Sequence, residues 1–201
     1  MKLFISCKFF AILSMSLILL TGCLIPEKFD ATISIAKDGS YKFRYDGTLA
    51  YALALEAVNK NTLAAKDEEG LKKLTEEFKK DKQFTKVEYL GKARYQVVVE
   101  KEGKPNEPYY FLSKDSKLIS IIPQKDGTIA ISAVKLDSKS IATLKAIGSK
   151  IEGTLSVTLG NGVKVISQNA TTEPSFFGLM GAYKWQIKSS DVLPSMVVKI
   201  K

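Results

Sequence analysis

Alternation of apolar and polar residues with a period of two is the feature that most limits the fold of this chain. Apolar side chains occupy every second position in residues 29–35 and again in residues 41–45. The Asp38-Gly39 pair between these runs is typical of a tight turn, because glycine tolerates the positive φ that such turns require. Side chains that alternate in this way fall on opposite faces of a sheet. The pattern predicts a β-hairpin with one face in the core.

The same turn signal occurs again later in the chain. Asp126-Gly127 stands between apolar runs at 118–122 and 129–136, which predicts a second hairpin. Further strand-like runs lie at 84–90 and 95–99, and more follow from residue 155 to the end. Most of the chain is therefore expected to be β-structure.

Three segments change to the helical period. Residues 49–58 are apolar on nearly all sides, which predicts a buried helix. Residues 137–148 predict a short helix, and residues 67–81 predict an amphipathic helix with Asp67 as a cap. The apolar face of this amphipathic helix comprises Leu71, Leu74 and Phe78. The order of strands and helices predicts one α+β domain, in which a curved, largely antiparallel, barrel-like sheet is packed by two or three helices.

The first 22 residues have the features of an export signal. Their apolar run, residues 9–20, is shorter than the roughly 20 residues that a membrane-spanning helix needs. The run leads into Leu20-Thr21-Gly22-Cys23, which resembles the lipobox of bacterial lipoproteins. The resemblance implies that Cys23 receives a thioether-linked diacylglycerol and becomes the first residue of the mature chain. Residues 1–22 are then a signal peptide, 23–28 a lipidated tether and 29–201 a single domain.

Lipidation predicts a location in the cell envelope, because two or more acyl chains hold a protein stably on a membrane. Leu24 follows the cysteine where aspartate would commonly signal retention in the inner membrane, so the resemblance implies the outer membrane in a two-membrane bacterium. The alternative is an ordinary secretory signal, or an uncleaved anchor, with an incidental cysteine. The only other cysteine, Cys7, would leave with the signal peptide, and the mature chain would then hold no free thiol and no disulfide.

Composition excludes several kinds of catalysis. The chain contains no histidine, which rules out Ser-His-Asp and Cys-His nucleophile systems and histidine-rich zinc sites. Acidic residues are scattered or form adjacent pairs such as Glu68-Glu69, whose side chains would point about 100° apart on a helix. No phosphate-binding glycine motif occurs. We therefore expect a protein that is not an enzyme and that uses no cofactor and no metal.

The net charge of +9 predicts either an anionic partner or a lysine-rich surface whose only role is solubility. A basic domain outside the cytoplasm meets phosphate-bearing lipids and envelope polymers, so nucleic acid is not an expected partner. Two of the 30 basic residues are arginines, Arg44 and Arg94. Because arginine can bind a carboxylate or phosphate through two parallel hydrogen bonds, both are candidate ligand contacts. A salt bridge within the chain, or stacking across strands, is the alternative.

One apolar segment suits neither a regular strand nor a long helix. Between residues 174 and 181 lie Phe176, Phe177, Leu179 and Met180, interrupted by glycine. We expect this segment at a mouth of the sheet, where its apolar side chains are candidate lipid contacts. It would act as a plug that seals the sheet, as a mobile lid over a lipid pocket, or as a lip in the membrane.

The last third of the chain resembles the LppM-type lipoprotein domain. In that pattern a strand leads to a glycine-containing turn, a V-x-S-x-N segment and a strand with a central tryptophan. The matching residues here are Gly160, Val165, Ser167, Asn169 and Trp185. The front of the chain is similar too, with a cysteine that runs into a strand and a D-G-S turn. The resemblance implies an envelope-tethered α+β domain with a barrel-like sheet, and recognition of a lipid or glycolipid.

Two functions follow from these observations. The first is a membrane-anchored, non-enzymatic envelope lipoprotein that binds a lipid or glycolipid. The alternative is an envelope assembly or interaction lipoprotein that recruits a protein partner. An apolar cavity would favour the first function, and a large flat apolar patch would favour the second.

Overall fold

The computed structural model describes residues 24–115, 118–133, 138–175, 181–188 and 193–200, which form eleven strands and three helices. The strands are β1 (Leu24–Ile35), β2 (Tyr41–Tyr51), β3 (Phe84–Gly91), β4 (Arg94–Gly103), β5 (Tyr109–Tyr110), β6 (Ile119–Pro123), β7 (Thr128–Ala133), β8 (Glu152–Leu159), β9 (Lys164–Gln168), β10 (Tyr183–Ile187) and β11 (Ser195–Lys199). The helices are α1 (Ala52–Asn59), α2 (Ala65–Phe78) and α3 (Ser138–Ala146).

The strands form two sheets. A six-stranded sheet has the order β10-β8-β1-β2-β4-β3, and a five-stranded sheet has the order β5-β6-β7-β11-β9. Neighbouring strands are antiparallel except β1 and β8, which are parallel. The predicted α+β class and the largely antiparallel pairing are confirmed. The prediction of a barrel-like sheet is wrong, because neither sheet closes in the described part of the chain. Two open sheets can instead bury each other's apolar faces by packing together.

The core lies between the two sheets. Phe43 of β2 packs against Tyr109 and Phe111, with ring centroids 5.0 and 5.2 Å apart. Tyr45, two residues further along β2, lies 4.6 Å from Phe111. These contacts join the six-stranded sheet to the region of β5, and aromatic pairs at such distances stabilise a core. The alternate residues of β2, such as Lys42, are exposed on the opposite, polar face.

Helix α2 is amphipathic, as predicted. Leu71 and Phe78 are buried, and Phe78 packs edge-on against Tyr95 at 5.1 Å. The Tyr95 hydroxyl donates a hydrogen bond to the Leu71 carbonyl at 2.7 Å. The N-cap is Ala64 rather than Asp67. Asp67 lies in the first turn instead, where its negative charge interacts favourably with the positive end of the helix dipole.

Helix α1 is shorter than the predicted helix at residues 49–58. Residues 49–51 continue β2, because Leu49 and Ala50 pair with β4 and Tyr51 pairs with Leu24. The helix therefore begins only at Ala52. A small second core forms at this end of the sheet, and its members are Ala50, Ala54, Leu55, Leu71 and Ala93.

The predicted tether at residues 23–28 is wrong for residues 24–28, which belong to β1. Leu24 pairs with Tyr51 and is only 4% exposed. A register shift between Pro26 and Phe29 accommodates the break in alternation, as a β-bulge does. Strand β1 therefore already includes the residue that follows Cys23 in sequence.

Candidate functional site

The candidate site lies at the end of β8, at the end of the six-stranded sheet opposite to Leu24. Because β1 and β8 are parallel, with Ile35 paired to Leu159, their last residues lie side by side. Leu155 and Val157 are fully buried in the row of β8 that points inward. Leu159 is next in that row and is only half-buried. The inward-facing row of β8 thus starts in the core and ends with an apolar side chain that is partly exposed at the surface.

Two cavities meet at this point and share Thr158, Leu159 and Gly160. The hairpin cavity, of about 390 Å³, lies beside the β1–β2 turn and has mainly apolar walls. The edge cavity, of about 630 Å³, lies between β8, β9 and β10 and has more polar walls. Both volumes lie within the range of about 300–1,000 Å³ that is usual for ligand pockets. We call the two cavities together the β8-end site.

Tyr41 lines the hairpin cavity and is 2% exposed. Among the described residues, its hydroxyl is the buried side-chain polar group that has no hydrogen-bond partner. Burial, together with the negative charge of Glu107, raises the pKa of Tyr41 to about 12. The hydroxyl therefore keeps its proton at neutral pH and can act as a hydrogen-bond donor to an acceptor that reaches it.

Gly103 makes room for the Tyr41 ring. The two residues are directly paired across β2 and β4. A Cβ atom on residue 103 would lie 1.9 Å from Cζ of Tyr41 and 2.4 Å from its hydroxyl oxygen. The glycine thus lets the ring and its hydroxyl fold against the end of β4, where both residues line the cavity.

The edge cavity lies between the outermost strands of the two sheets, because β10 and β9 are both edge strands. Val163 and Val165 line it from the side of β9, and Tyr183 lines it from β10. Asn161, in the turn after β8, adds a polar amide. The cavity can therefore contact both apolar and polar parts of a ligand.

Five residues of the predicted site lie outside the described residues: Cys23, Phe176, Phe177, Leu179 and Met180. Lipidation of Cys23, and lipid contact by the four apolar residues, stay predictions. Pro174 and Gly181, which flank the apolar segment in sequence, both line the edge cavity.

Arg44 lies away from the β8-end site, on the polar face of the six-stranded sheet. Its Nη2 donates to Asp46 at 2.9 Å, and its Nη1 donates to Glu100. It lines an open cleft of about 590 Å³, together with Lys28, Asp30 and Asp46. The two basic and two acidic side chains of this cleft balance, which gives an anion no net attraction.

Arg94 lies at the other end of the sheet. Its Nε and Nη2 donate to the two carboxylate oxygens of Glu27 at 2.7 and 3.0 Å. Nη2 also donates to the carbonyl of Gly148 at 3.3 Å, and the Ser149 hydroxyl donates to Glu27 at 2.9 Å. The structure therefore places both arginines in ion pairs within the chain and brings neither to the two cavities.

Sequence reasoning missed Tyr41 and Gly103 as site residues. The alternation in the sequence predicted Tyr41 only as one of the inward-facing side chains of its strand. The contact depends on the register between β2 and β4, which are separated in sequence by two helices and β3. A single sequence specifies such a register poorly, although glycine within an alternating strand is a sign of close approach by a neighbour.

Within the described residues, no helix combines the length and the apolar character needed to cross a membrane. The same residues contain no group of three or more cysteine, histidine, aspartate or glutamate side chains that could hold a metal ion.

Among solved structures, the chain is similar to the folded domain of the Mycobacterium tuberculosis LppM protein, which was determined by NMR. The TM-score is 0.40 and the sequence identity is 10%, over 86% of this chain and 87% of that chain. No protein-family profile matches the chain, and no curated protein matches it. The likeness is distant, and function is therefore inferred from the site.

Proposed function

We propose that this chain is a lipid-anchored protein of the bacterial cell envelope that binds a lipid or glycolipid at the β8-end site and catalyses no reaction. Acyl chains on Cys23 provide the anchor, and the outer membrane is the proposed location in a two-membrane bacterium. Nucleic acid and metal ions have no part in this proposal.

The observation that carries the proposal is a cavity with mainly apolar walls that is lined by Tyr41, a residue whose buried hydroxyl has no hydrogen-bond partner among the described residues. Buried polar groups almost always have partners, and a missing partner costs about 1–3 kcal/mol. An ester, amide or sugar oxygen of a ligand would supply the missing acceptor. Ile35 and Leu159 would contact the apolar part of the same ligand. This combination favours an amphipathic molecule, whose polar group could extend to Asn161 in the edge cavity.

Substitution of Tyr41 by phenylalanine tests the proposal, because the ring keeps its shape and loses only the hydroxyl. We expect the affinity for a fluorescent phospholipid, labelled on its acyl chain, to fall by about threefold to tenfold, since one hydrogen bond contributes roughly 0.5–1.5 kcal/mol. The free energy of unfolding without lipid should stay equal or rise, because no buried hydroxyl is left unpaired. A structural role alone would leave lipid affinity unchanged.

Leu159→Glu provides the stronger perturbation, because it places a charge where the two cavities meet. We expect it to abolish binding of the phospholipid. Ile166→Glu is the matched control, since Ile166 is 61% exposed and lines neither cavity. Equal affinity in the Tyr41→Phe, Leu159→Glu and unchanged proteins would overturn the proposed site.

Recruitment of a protein partner is a second candidate function, and the edge of β9 favours it. In the described residues β9 pairs with β11 on one side and with no strand on the other. Ile166 of this strand is exposed, and an open edge can accept an extended segment of another chain. A photo-crosslinker at position 166 tests this function in intact envelopes. A single adduct that persists when Tyr41 is replaced would support this function. Absence of any adduct would contradict it.

A further inference from the structure

The lipidation site is joined directly to the folded sheet. Leu24, the residue after Cys23, is the first residue of β1 and is buried by its pairing with Tyr51. Consecutive Cα atoms lie about 3.8 Å apart. Acyl chains on Cys23 would therefore hold this end of the sheet at the membrane surface, with no linker between them.

Two exposed leucines lie at this same end. Leu53 is 71% exposed and Leu90 is 52% exposed. Leu53 is the second residue of α1 and follows closely after Tyr51. Leu90 precedes the β3–β4 turn, and that turn contacts Tyr51 through a hydrogen bond from the Tyr51 amide to the Ala93 carbonyl at 2.8 Å. Leu90 lies on β3, which is three strand spacings, or about 14 Å, from β1 in the sheet, and the register places it at the same end of the sheet as Leu24.

The charges of the β3–β4 turn and of the first turn of α2 balance. Lys92 is exposed in the β3–β4 turn, and its backbone amide donates to Glu68 at 3.0 Å. This contact brings the first turn of α2 beside the β3–β4 turn, and that helical turn also carries Lys66 and Asp67. Two basic side chains therefore stand beside two acidic ones. Attraction to an anionic surface is not needed here, and the exposed leucines remain as the groups that favour a bilayer.

We infer that this end of the domain docks on the bilayer that holds the Cys23 lipid, with Leu53 and Leu90 in contact with the headgroup region. The inference rests on the lipidation of Cys23 that the proposed function includes. Leucine side chains at an interface bury apolar area against lipid, and they add to the attachment that the acyl chains provide. The anchor then also fixes the orientation of the domain.

Fluorescent labels on single introduced cysteines test the orientation in the full-length, processed protein. Leu53→Cys and Leu90→Cys place an environment-sensitive dye in the docking face, and both residues are exposed, so the fold should tolerate the change. Lys37→Cys is the matched control, because Lys37 is exposed in the turn at the opposite end of β1. The proteins are reconstituted into phosphatidylcholine vesicles that contain a nitroxide-labelled phospholipid.

We expect the dyes at positions 53 and 90 to be quenched at least twofold more than the dye at position 37. The difference should persist when phosphatidylglycerol is added, because the proposed contact is apolar. Mass spectrometry of Cys23 separates the two proposals: a lipidated protein with equal quenching at all three positions overturns the docking alone. Absence of lipid on Cys23 overturns the anchor and the docking together. Concentration-dependent burial of the dyes in detergent, without vesicles, would assign the face to a second copy and also overturn the docking.

Discussion

At the scale of single residues, the two arginines make ion pairs in different surroundings. The Arg94 and Glu27 side chains are 25% and 12% exposed, and two parallel hydrogen bonds join them. Arg44 and its partner Glu100 are 45% and 47% exposed. Exposed pairs contribute little to stability, whereas removal of one partner of a buried pair is costly. Arginine should therefore contribute to the stability of the fold at position 94 and contribute little at position 44.

Replacement by lysine measures this difference. Lysine keeps the charge but lacks the planar fork, so Arg94→Lys should lose one of the two bonds to Glu27 and the bond to Gly148. We expect the free energy of unfolding to fall by roughly 1–3 kcal/mol, measured by urea denaturation with Trp185 fluorescence as the signal. Arg44→Lys is the control and should change it by less than about 0.5 kcal/mol. Equal losses in the two variants would contradict the assignment.

At the scale of elements, β1 packs closely against both of its neighbours at Phe29. This residue pairs with Gly47 of β2 and with Gly153 of β8. A Cβ atom on Gly47 would lie 2.4 Å from the Lys28 carbonyl oxygen. Phe29 stacks on Tyr45 at 5.3 Å between ring centroids. The glycines thus create the space that this central aromatic side chain needs.

Glycine-to-alanine substitutions in β2 and in α2 should have opposite effects on the stability of the protein. Gly47→Ala forces β1 and β2 apart, and we expect it to destabilise the protein by about 1–3 kcal/mol or more, as overpacking does. Gly70 lies within α2, and a Cβ atom on this residue would meet no atom of another element within 4 Å. Gly70→Ala should therefore stabilise the protein by up to about 1 kcal/mol through helix propensity. Thermal unfolding of both variants checks the prediction, and a loss of stability in Gly70→Ala would refute it.

Local elements could be predicted from the sequence because their causes are local. In the first hairpin the Asp38 carboxylate accepts bonds from the Ser40 amide and hydroxyl at 3.0 and 2.7 Å. Asp126 makes the same two bonds with Thr128 at the same distances. Such turns are specified by a few adjacent residues. The parallel pairing of β1 with β8, by contrast, joins segments separated by most of the domain, and no local pattern records it.

The candidate site was harder to predict than the elements that form it. Its cavities exist because β8 ends beside β1 and because Tyr41 lies against Gly103, and both facts depend on pairing between distant segments. The motif around Asn169 and Trp185 was visible in the sequence, but its role was not. Asn169 accepts a bond from the Trp185 indole at 2.8 Å and another from the Ser195 amide at 2.9 Å. It thereby connects the end of β9 to β10 and β11.

At the scale of the whole molecule, buried tyrosines surround the interface between the sheets. Burial is the main cause that raises the pKa of both Tyr41 and Tyr89 to about 12. Burial also raises the pKa of Tyr45, Tyr95 and Tyr109. Ionisation of Tyr41, Tyr45, Tyr95 or Tyr109, which are buried, would place a negative charge in an apolar core, which is unfavourable.

Stability should therefore fall at high pH. A tyrosine with a raised pKa binds its proton more tightly in the folded state than in the unfolded chain, where tyrosines titrate near about 10. Its contribution to stability is complete below about pH 10 and is lost as the pH rises toward about 12. We expect the urea midpoint to fall across this interval, together with the appearance of tyrosinate absorbance. A midpoint that stays constant up to about pH 12 would contradict the prediction.

Strand β1 extends from Leu24, the residue after Cys23, through the bulge between Pro26 and Phe29, to Ile35 at the β8-end site. Twelve residues of strand span roughly 35 Å, which is about the thickness of the hydrocarbon layer of a bilayer. With the proposed anchor and docking, this length of strand would separate the cavities from the membrane surface. A lipid of the anchoring leaflet would have to leave its bilayer completely to arrive there. On the proposed function, the site would then receive molecules already in transit through the aqueous space, or molecules presented from the facing layer of the envelope.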